Sequence, residues 1–435
     1  MIVSSSFADQ KDTINGHVGA LSNQLNKEIG DVPGNKYNAD IEFRYHANEQ
    51  DKLERKFDFA ALVNDESLTM FSVQEAYVAK KGIFRSYNYT LKTGDEFKIG
   101  RQILPWSSID HTWGFGKLNN RKYFNGFDPG HEGLVGAYYK NKSSSGFFWG
   151  VFASALYVPE LNPGMDINKG DQTITSRNPW ANAPAPTTEI DGNETPIKYI
   201  VDYPEISDVV NRYTIGFNAG WESKHWVMDA FIIRKPENKF STQVEIALPE
   251  DSNSVKAFIT PEFYYHDVFG ANLKYRNHDV EMYLSGIAAF PESYPDGDQQ
   301  ATRFTEIKTA KKREAYGGGG IAKSNDKYGF GLNYVARLSA YDRELDSLAE
   351  DPRWNQAVNV FGVLNLFKKY SILADVKYDM LTTDRLVMLK GSYSLSKEFL
   401  MSLGVNMIGT PGDGKSYWSP FTNNDAVYAA LRYVY

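Results

Sequence analysis

From Phe399 to Ile408 the chain alternates in kind: Phe399, Met401, Leu403, Val405 and Met407 fall on one side of an extended backbone, with Ser402, Gly404 and Asn406 on the other and Leu400 and Ile408 at the ends. Successive side chains of a β-strand point to opposite faces, so a period of two makes one face fit for lipid and one fit for water. One such strand belongs more often to a half-buried sheet of a soluble protein. Repetition is what constrains the fold. Val387, Leu389, Tyr393 and Leu395 oppose Met388, Lys390, Ser392 and Ser394, and before them Ile372, Ala374, Val376, Tyr378 and Met380 oppose Ser371, Leu373, Asp375, Lys377 and Asp379. Turns at Ser396-Lys397 and at Phe367-Lys368-Lys369-Tyr370, the latter leading back to Val358, Val360, Leu364 and Leu366, make these an antiparallel meander. Further back, Tyr328, Phe330, Leu332, Tyr334, Ala336 and Leu338 oppose Gly329, Gly331, Asn333, Arg337 and Ser339, with Val335 as the exception. Tyr213, Ile215, Phe217, Ala219 and Trp221 likewise oppose Arg212, Thr214, Gly216, Asn218 and Gly220.

A helical membrane protein is excluded, because Asp, Asn, Lys or Gly interrupts every apolar run before the roughly 20 residues that a spanning helix needs. A closed barrel needs only one apolar face per strand, and the 14% aromatic and 23% charged content suits it. A net charge of -7 without a long basic block excludes a nucleic-acid footprint. With no cysteine, the chain has no disulfide, thiolate metal site or cysteine nucleophile.

The connections are of two kinds. Short polar turns at Asn141 to Ser145, Glu222 to Lys224, Arg276 to Asp279, Lys323 to Lys327, Phe367 to Tyr370 and Leu395 to Lys397 alternate with long polar stretches at Pro159 to Asp208, Lys235 to Glu262, Pro291 to Lys312 and Gly409 to Asn424. That asymmetry is the turn-and-loop arrangement of outer-membrane barrels. Strands are expected near Ile14, Tyr37, Lys56, Phe71 and Phe97, after Glu132, Gly146, Val209 and Trp226, and near Tyr264, Val280, Arg313, Lys327, Asn355, Ser371, Arg385, Lys397 and Ala426. The fold class is therefore all-β, a transmembrane antiparallel up-and-down barrel of about 18 strands with both termini on the short-turn side; 16 is the alternative if the first segment is a plug or tail. Residues 1–12 read as the remnant of an export signal, Ser6-Phe7-Ala8 before Asp9 resembling its end, or as a disordered terminus, and 13–435 as one barrel domain.

The last ten residues, AVYAALRYVY, place Val427, Ala429, Leu431, Tyr433 and Tyr435 on one face and Arg432 on the other. They resemble the C-terminal strand signal of outer-membrane barrel proteins, which implies the Gram-negative outer membrane, with its bilayer and lipopolysaccharide, and recognition by the barrel-assembly machinery through the strand ending at Tyr435. Ser72-Val-Gln-Glu-Ala-Tyr-Val78 followed by Phe97-Lys-Ile-Gly-Arg-Gln102 resembles the paired "EAY" and "GRQ" strands of Gram-negative porin-like channels, including the alginate-export and specific-porin groups. The resemblance implies that the stretch after Gln102, with Pro105-Trp106 to Gly130, folds toward the lumen. Arg101 shares its alternation face with Phe97 and Ile99, so a bulge is expected to re-aim it. The side on which Glu75 lies stays open.

Arg212, Lys274, Arg276, Arg337, Asp375, Lys377, Asp379, Lys390 and Arg432 fall on polar faces, and a lipid-facing Arg or Lys at midplane would cost roughly 2–4 kcal/mol. They either select solutes by sign or brace the wall as ion pairs. The seven histidines have no HxH or HExxH spacing, so neither a metal nor a cofactor is expected. Asp166 to Asp171 and Asp296-Gly-Asp298 could offer oxygens to Ca²⁺, though acidic surface loops are commoner. Neither His131 nor His266 has a hydrolase partner that the sequence singles out, so no catalytic residue is expected. Gly317 to Gly320 lacks the Lys-Ser/Thr of a phosphate loop and reads instead as room for a loop or bulky side chain against the wall.

The function expected is passive diffusion of small hydrophilic solutes, since no large plug domain precedes the first strands; the alternative is a structural or adhesive barrel with an occluded lumen and partner-binding loops. Between Gln102 and Glu132 the chain holds Trp106, His111, Trp113, Lys117, Arg121 and Lys122 beside only Asp110 and Asp128. With Arg101, Arg212, Arg276 and Arg337 this basic loop would favour anions, which guanidinium groups bind in bidentate fashion. The opposing view is that the acidic stretch from Pro159 to Asp208 folds inward and favours cations.

Overall fold

In a computed structural model, residues 12–24, 35–49, 53–64, 69–84, 86–88, 92–122, 126–127, 130–160, 165–176, 180, 183–190, 192–247, 254–292, 306–308, 313–339, 352–367, 369–411, 416–422 and 424–434 are described. Residues 1–11, Asp128, Asp296, Asp298 and Tyr435 lie outside them. One 18-stranded sheet runs through the chain. Its strands are β1 (Asp12–Gln24), β2 (Asn35–Glu49), β3 (Leu53–Asn64), β4 (Thr69–Lys81), β5 (Gly94–Gln102), β6 (Leu134–Lys142), β7 (Phe147–Ser154), β8 (Thr214–Glu222) and β9 (Trp226–Pro236). The second half comprises β10 (Tyr265–Asn277), β11 (Val280–Pro291), β12 (Glu314–Ser324), β13 (Tyr328–Arg337), β14 (Gln356–Leu366), β15 (Tyr370–Asp379), β16 (Arg385–Ser394), β17 (Phe399–Gly409) and β18 (Ala426–Val434). Each pairs antiparallel with its sequence neighbours, and β18 pairs with β1 from Asn15↔Val434 to Asn23↔Ala426. The sheet is closed, so no strand is left with an unpaired edge.

Every expected strand is present. The one expected after Val209 begins at Thr214, beyond a short helix at Ile206–Val210. Turns such as 223–225 and 278–279 join the strands at one end, and long connections such as 103–133 and 155–213 at the other. The exceptions are 82–93, a longer connection on the short-turn side, and 65–68 and 380–384, short connections on the long-loop side. Strands Thr187–Ile190, Asn193–Val201, Ser241–Ala247, Val255–Glu262 and Glu306–Lys308, drawn from three long connections, build a separate five-stranded sheet. Its second and fourth members in chain order run parallel. No alternation in the sequence announced it. Among the described residues no helix is long and apolar enough to cross a membrane.

Side-chain exposure follows the period of two. On β17, Leu403 is 56% exposed while Ser402 and Asn406 are 4% and 1% exposed. The lumen face has a second regularity: Phe152 lies over Gly136, Tyr138 over Gly150, Phe148 over Gly220, Phe231 over Gly270, Phe361 over Gly331 and Tyr428 over Gly404, where a Cβ would strike the ring. Glycine on one strand thus makes room for an aromatic ring to lie flat on the wall.

Pairing of β3 with β4 shifts register between Asp58 and Phe59, leaving Gln74 as the additional residue. As a result Gln74 and Glu75 are both buried, and Glu75 turns to the lumen side, where Lys56 pairs with it. The bulge expected near Arg101 is therefore on the neighbouring strand. Within β5 itself, Gly100 adopts a φ of 126°, and a Cβ there would run into the Ala76 carbonyl.

Candidate functional site

Residues 103–133 leave the wall after β5 and enter the barrel, forming helix α1 (Ser108–Trp113). Ser107 caps its start by accepting from the Asp110 N–H at 3.2 Å, and Gly114, at φ 62°, closes its end. The Asp110 carboxylate then accepts from the N–H groups of Lys117 and Leu118 at 2.9 and 3.0 Å, folding the following turn around itself. The helix docks on the inner face of β10–β12. Ser108 N–H donates to Asn272 at 3.0 Å, Ile109 N–H to the Ser285 hydroxyl at 3.3 Å, and the Asn272 amide to the Trp106 carbonyl at 2.5 Å. Ile109, 0% exposed, approaches Gly318 so closely that a Cβ there would meet it, the close approach expected of that glycine run.

The apolar side chains of this loop bury themselves in what would otherwise be a wet lumen. Trp106, Ile109, Trp113, Phe115 and Leu118 share one cluster with Val268 of β10, Ile287 of β11 and Val335 of β13, and Phe115 stacks on Tyr316 with centroids 4.0 Å apart. Each large side chain buried here contributes about 1.5–3 kcal/mol to docking. Three other long connections join in. Trp113 meets Trp354 at 5.7 Å, Trp354 meets Trp418 at 5.3 Å, and Trp180 bridges Phe127 and Phe421 at 5.5 and 5.6 Å. The Arg353 guanidinium covers Trp418 at 4.7 Å and donates to the Gly126 carbonyl at 2.6 Å.

The basic surplus counted along this loop does not survive folding. Lys117 pairs with Glu314 of β12, Arg121 with Glu160 at 3.5 Å, Lys122 with Glu42 of β2 at 2.8 Å, and Arg101 with Glu132 at 2.8 Å. Three of those acids come from other elements, so no local count could find them. Burial pushes the Glu132 carboxyl above the ordinary carboxylate range, opposed by Arg101 and by a hydrogen bond from Ser72. Arg121 is enclosed rather than open to the lumen.

Arg212 needs a second correction: it precedes β8, donates to the Asp208 carbonyl at 3.0 Å and lies over Phe263, so it is not on the barrel wall. The helix before β8 is the cause. Arg276, paired with Glu281 at 2.7 Å, is exposed at a short turn, and Arg337 donates to Ser339 at 3.0 Å near the long-loop end. Lys274 is half-buried on the lumen face of β10, two residues beyond Asn272.

The remaining candidates gather on β15–β18. Lys377, opposite Leu386, is near the long-loop end; Lys390, opposite Leu373 and Gly404, is in the middle; Arg432, opposite Leu400, is near the short turns. All three are half-buried, and Asp375 beside them accepts from Asn359 at 2.8 Å. Asp379 is spent on the Asn355 N–H at 2.6 Å and on the following turn. Sequence reasoning missed the asparagines, among them the Asn333–Asn359 bond of 2.9 Å, although their place on polar faces was legible.

Among the described residues no three His, Asp or Glu groups converge as a metal site. Asp171 is bonded to Thr173 of its own turn. His131 stacks on His111 at 4.6 Å, and His266 lies 3.4 Å from Lys235.

No protein-family model matches the sequence, and no curated protein matches it. Similar solved structures include engineered variants of the Rhodopseudomonas blastica porin. One is 12% identical with a TM-score of 0.41, another 10% identical with 0.40, each match covering 98% of this chain and 100% of the other. So distant a likeness leaves the functional reading to this chain's own geometry.

Proposed function

We propose that the chain is a porin-like channel of the Gram-negative outer membrane, through which small hydrophilic solutes, anions in preference, diffuse passively. One observation carries the reading: a closed barrel, apolar outside and polar inside, is narrowed from within by residues 103–133, which dock on β10–β12 and also reach β2 through the Lys122–Glu42 pair. The wall from β15 to β18, which lies between those two contacts in strand order, then forms the path, and Lys377, Lys390 and Arg432 descend along it. Three cations at successive depths lower the energy of an anion along the whole way while holding it firmly nowhere, which conduction requires. The anion preference is thus assigned to these three depths of the wall, since the loop's Lys117, Arg121 and Lys122 are each held by a specific acid.

A second reading, an occluded barrel whose loops bind a partner, draws on the tryptophan contacts across the mouth and on the five-stranded sheet beyond it. Planar-bilayer recording separates the two. Conductance steps with a reversal potential favouring anions are expected; a barrel that inserts yet never conducts would establish the occluded reading instead.

A further inference from the structure

We propose that the connection 82–93 anchors the barrel in the leaflet on its short-turn side, with Ile83 and Phe84 entering the bilayer interface and Asp95 of β5 tethering the segment that carries them. The inference rests on the outer-membrane reading above, which makes that leaflet the periplasmic one.

Asp95 shares its alternation face with Phe97 and Ile99, and Ile99 is 57% exposed on the outside of the wall. An acidic side chain is disfavoured on that lipid-facing side. Asp95 is nevertheless 0% exposed, because the connection that precedes it in the chain folds back over it. Gly82 N–H donates to the Asp95 carbonyl and Phe84 N–H to the Asp95 carboxylate, both at 2.8 Å, while the Tyr139 hydroxyl of β6 donates to the carboxylate at 3.4 Å. Two glycines make the fold-back possible. Gly82, at φ 71°, turns the chain, and Gly94, at φ 122°, lies so close to Tyr87 that a Cβ would strike its backbone and ring. Asn88 and Thr93 close the far end through paired backbone bonds of 2.8 and 3.1 Å. Other connections at this end, such as 143–146 and 395–398, turn straight back into the next strand.

The segment that carries Phe84 therefore lies against the outside of the wall and not across the lumen. The Phe84 ring stands edge-on to Tyr139 at 5.8 Å, and Tyr139 in turn tilts against Trp149 of β7 at 5.5 Å. Both of those residues are on outward strand faces, Trp149 sharing its face with the exposed Phe147. Phe84 continues this aromatic row beyond the sheet and remains 77% exposed, with Ile83 exposed beside it. The backbone polar groups are turned onto Asp95, and the apolar side chains are left uncovered. Continuity with the outward aromatic row selects their neighbour: rings at the level of a barrel's outward Tyr and Trp side chains gain by entering the membrane interface, and each buried apolar group adds to the attachment.

The chain has no cysteine, so Phe84→Cys offers a single site for an environment-sensitive fluorophore on the full chain in vesicles of phosphatidylcholine and phosphatidylglycerol. Two quenchers are compared, a nitroxide near the headgroup end of the lipid acyl chain and iodide added on both sides. The ratio of nitroxide to iodide quenching should be severalfold higher for the Phe84→Cys label than for a His278→Cys label in the short turn 278–279. Adding Asp95→Ala, or Asp95→Asn where the alanine chain loses heat-modifiable mobility, should raise iodide quenching of the Phe84→Cys label severalfold. A Phe84→Cys label that iodide reaches as readily as the His278→Cys label would overturn the inference. So would one shielded from iodide and lipid alike, the mark of a protein partner or a second copy, and so would iodide quenching that loss of Asp95 leaves unchanged. Leu403→Cys, on the outer face of β17, keeps the two readings apart. Lipid quenching there without lipid quenching of the Phe84→Cys label sinks the anchor alone, and lipid quenching of neither sinks the barrel's place in the bilayer with it.

Discussion

Two stretches of the same inner wall are built on opposite terms. Along β10–β13 the lumen face carries Val268, Ile287 and Val335, each 3% exposed or less, beneath α1. Along β15–β18 it carries Lys377, Lys390 and Arg432, all half-buried. A barrel of this kind has a wet interior, so an apolar residue pointing inward implies a partner segment that shields it. Val335, which broke the alternation of its strand, marks such a landing place, and so does Ile408, 7% exposed within the same cluster. Breaks in the pattern therefore mark where inserted segments dock, along β13 and at the long-loop end of β17 alike.

The most forceful way to break this contrast is to replace residues 105–131 by a short Gly-Ser linker. The barrel should still form, because all eighteen strands lie outside the deletion, and single-channel conductance should rise severalfold. An unchanged conductance would mean that another loop sets the limit. Trp354→Ala is next in size: the tryptophan is 1% exposed between Trp113 and Trp418, and its loss should weaken loop docking by about 3–5 kcal/mol. Faster proteolysis of the loops in detergent, with noisier open-channel current, would register it.

Selectivity divides the two walls more finely. Lys377→Glu with Lys390→Glu should lower the anion-to-cation permeability ratio severalfold in a salt gradient, whereas Arg101→Ala with Arg121→Ala should leave it nearly unchanged, because those two cations are already paired. A reversed order of effects would return selectivity to the loop. A smaller change is expected from Gly331→Ala, whose Cβ would strike Phe361; overpacking there should cost about 1–3 kcal/mol in urea unfolding, and a neutral result would refute the ring-over-glycine account. The smallest concerns Glu132. Since burial raises its pKa in the folded protein, its contribution to docking is present in full below the ordinary carboxylate value and is lost as pH rises through the raised value. Loop protection against protease should accordingly improve on mild acidification, and Glu132→Gln should remove that pH dependence.

Alternation, turn residues and loop lengths determined the barrel and which face of each strand meets lipid, because these depend on neighbours two residues apart and on the chemistry of one solvent or the other, while closure of β18 onto β1 decided for 18 strands over 16. Val335 and the glycine run even announced that something approaches the wall. What occupies the lumen was another matter. Lys117, Arg121 and Lys122 looked like a positive field because the acids that neutralise them, Glu314, Glu160 and Glu42, stand 197, 39 and 80 positions away in the chain. Arg212 looked like a wall residue because nothing in its alternation disclosed the helix at Ile206–Val210. Strand faces are set locally by the backbone, whereas the net field in a pore is a sum over charges that only barrel closure and loop insertion bring within a few ångströms of each other.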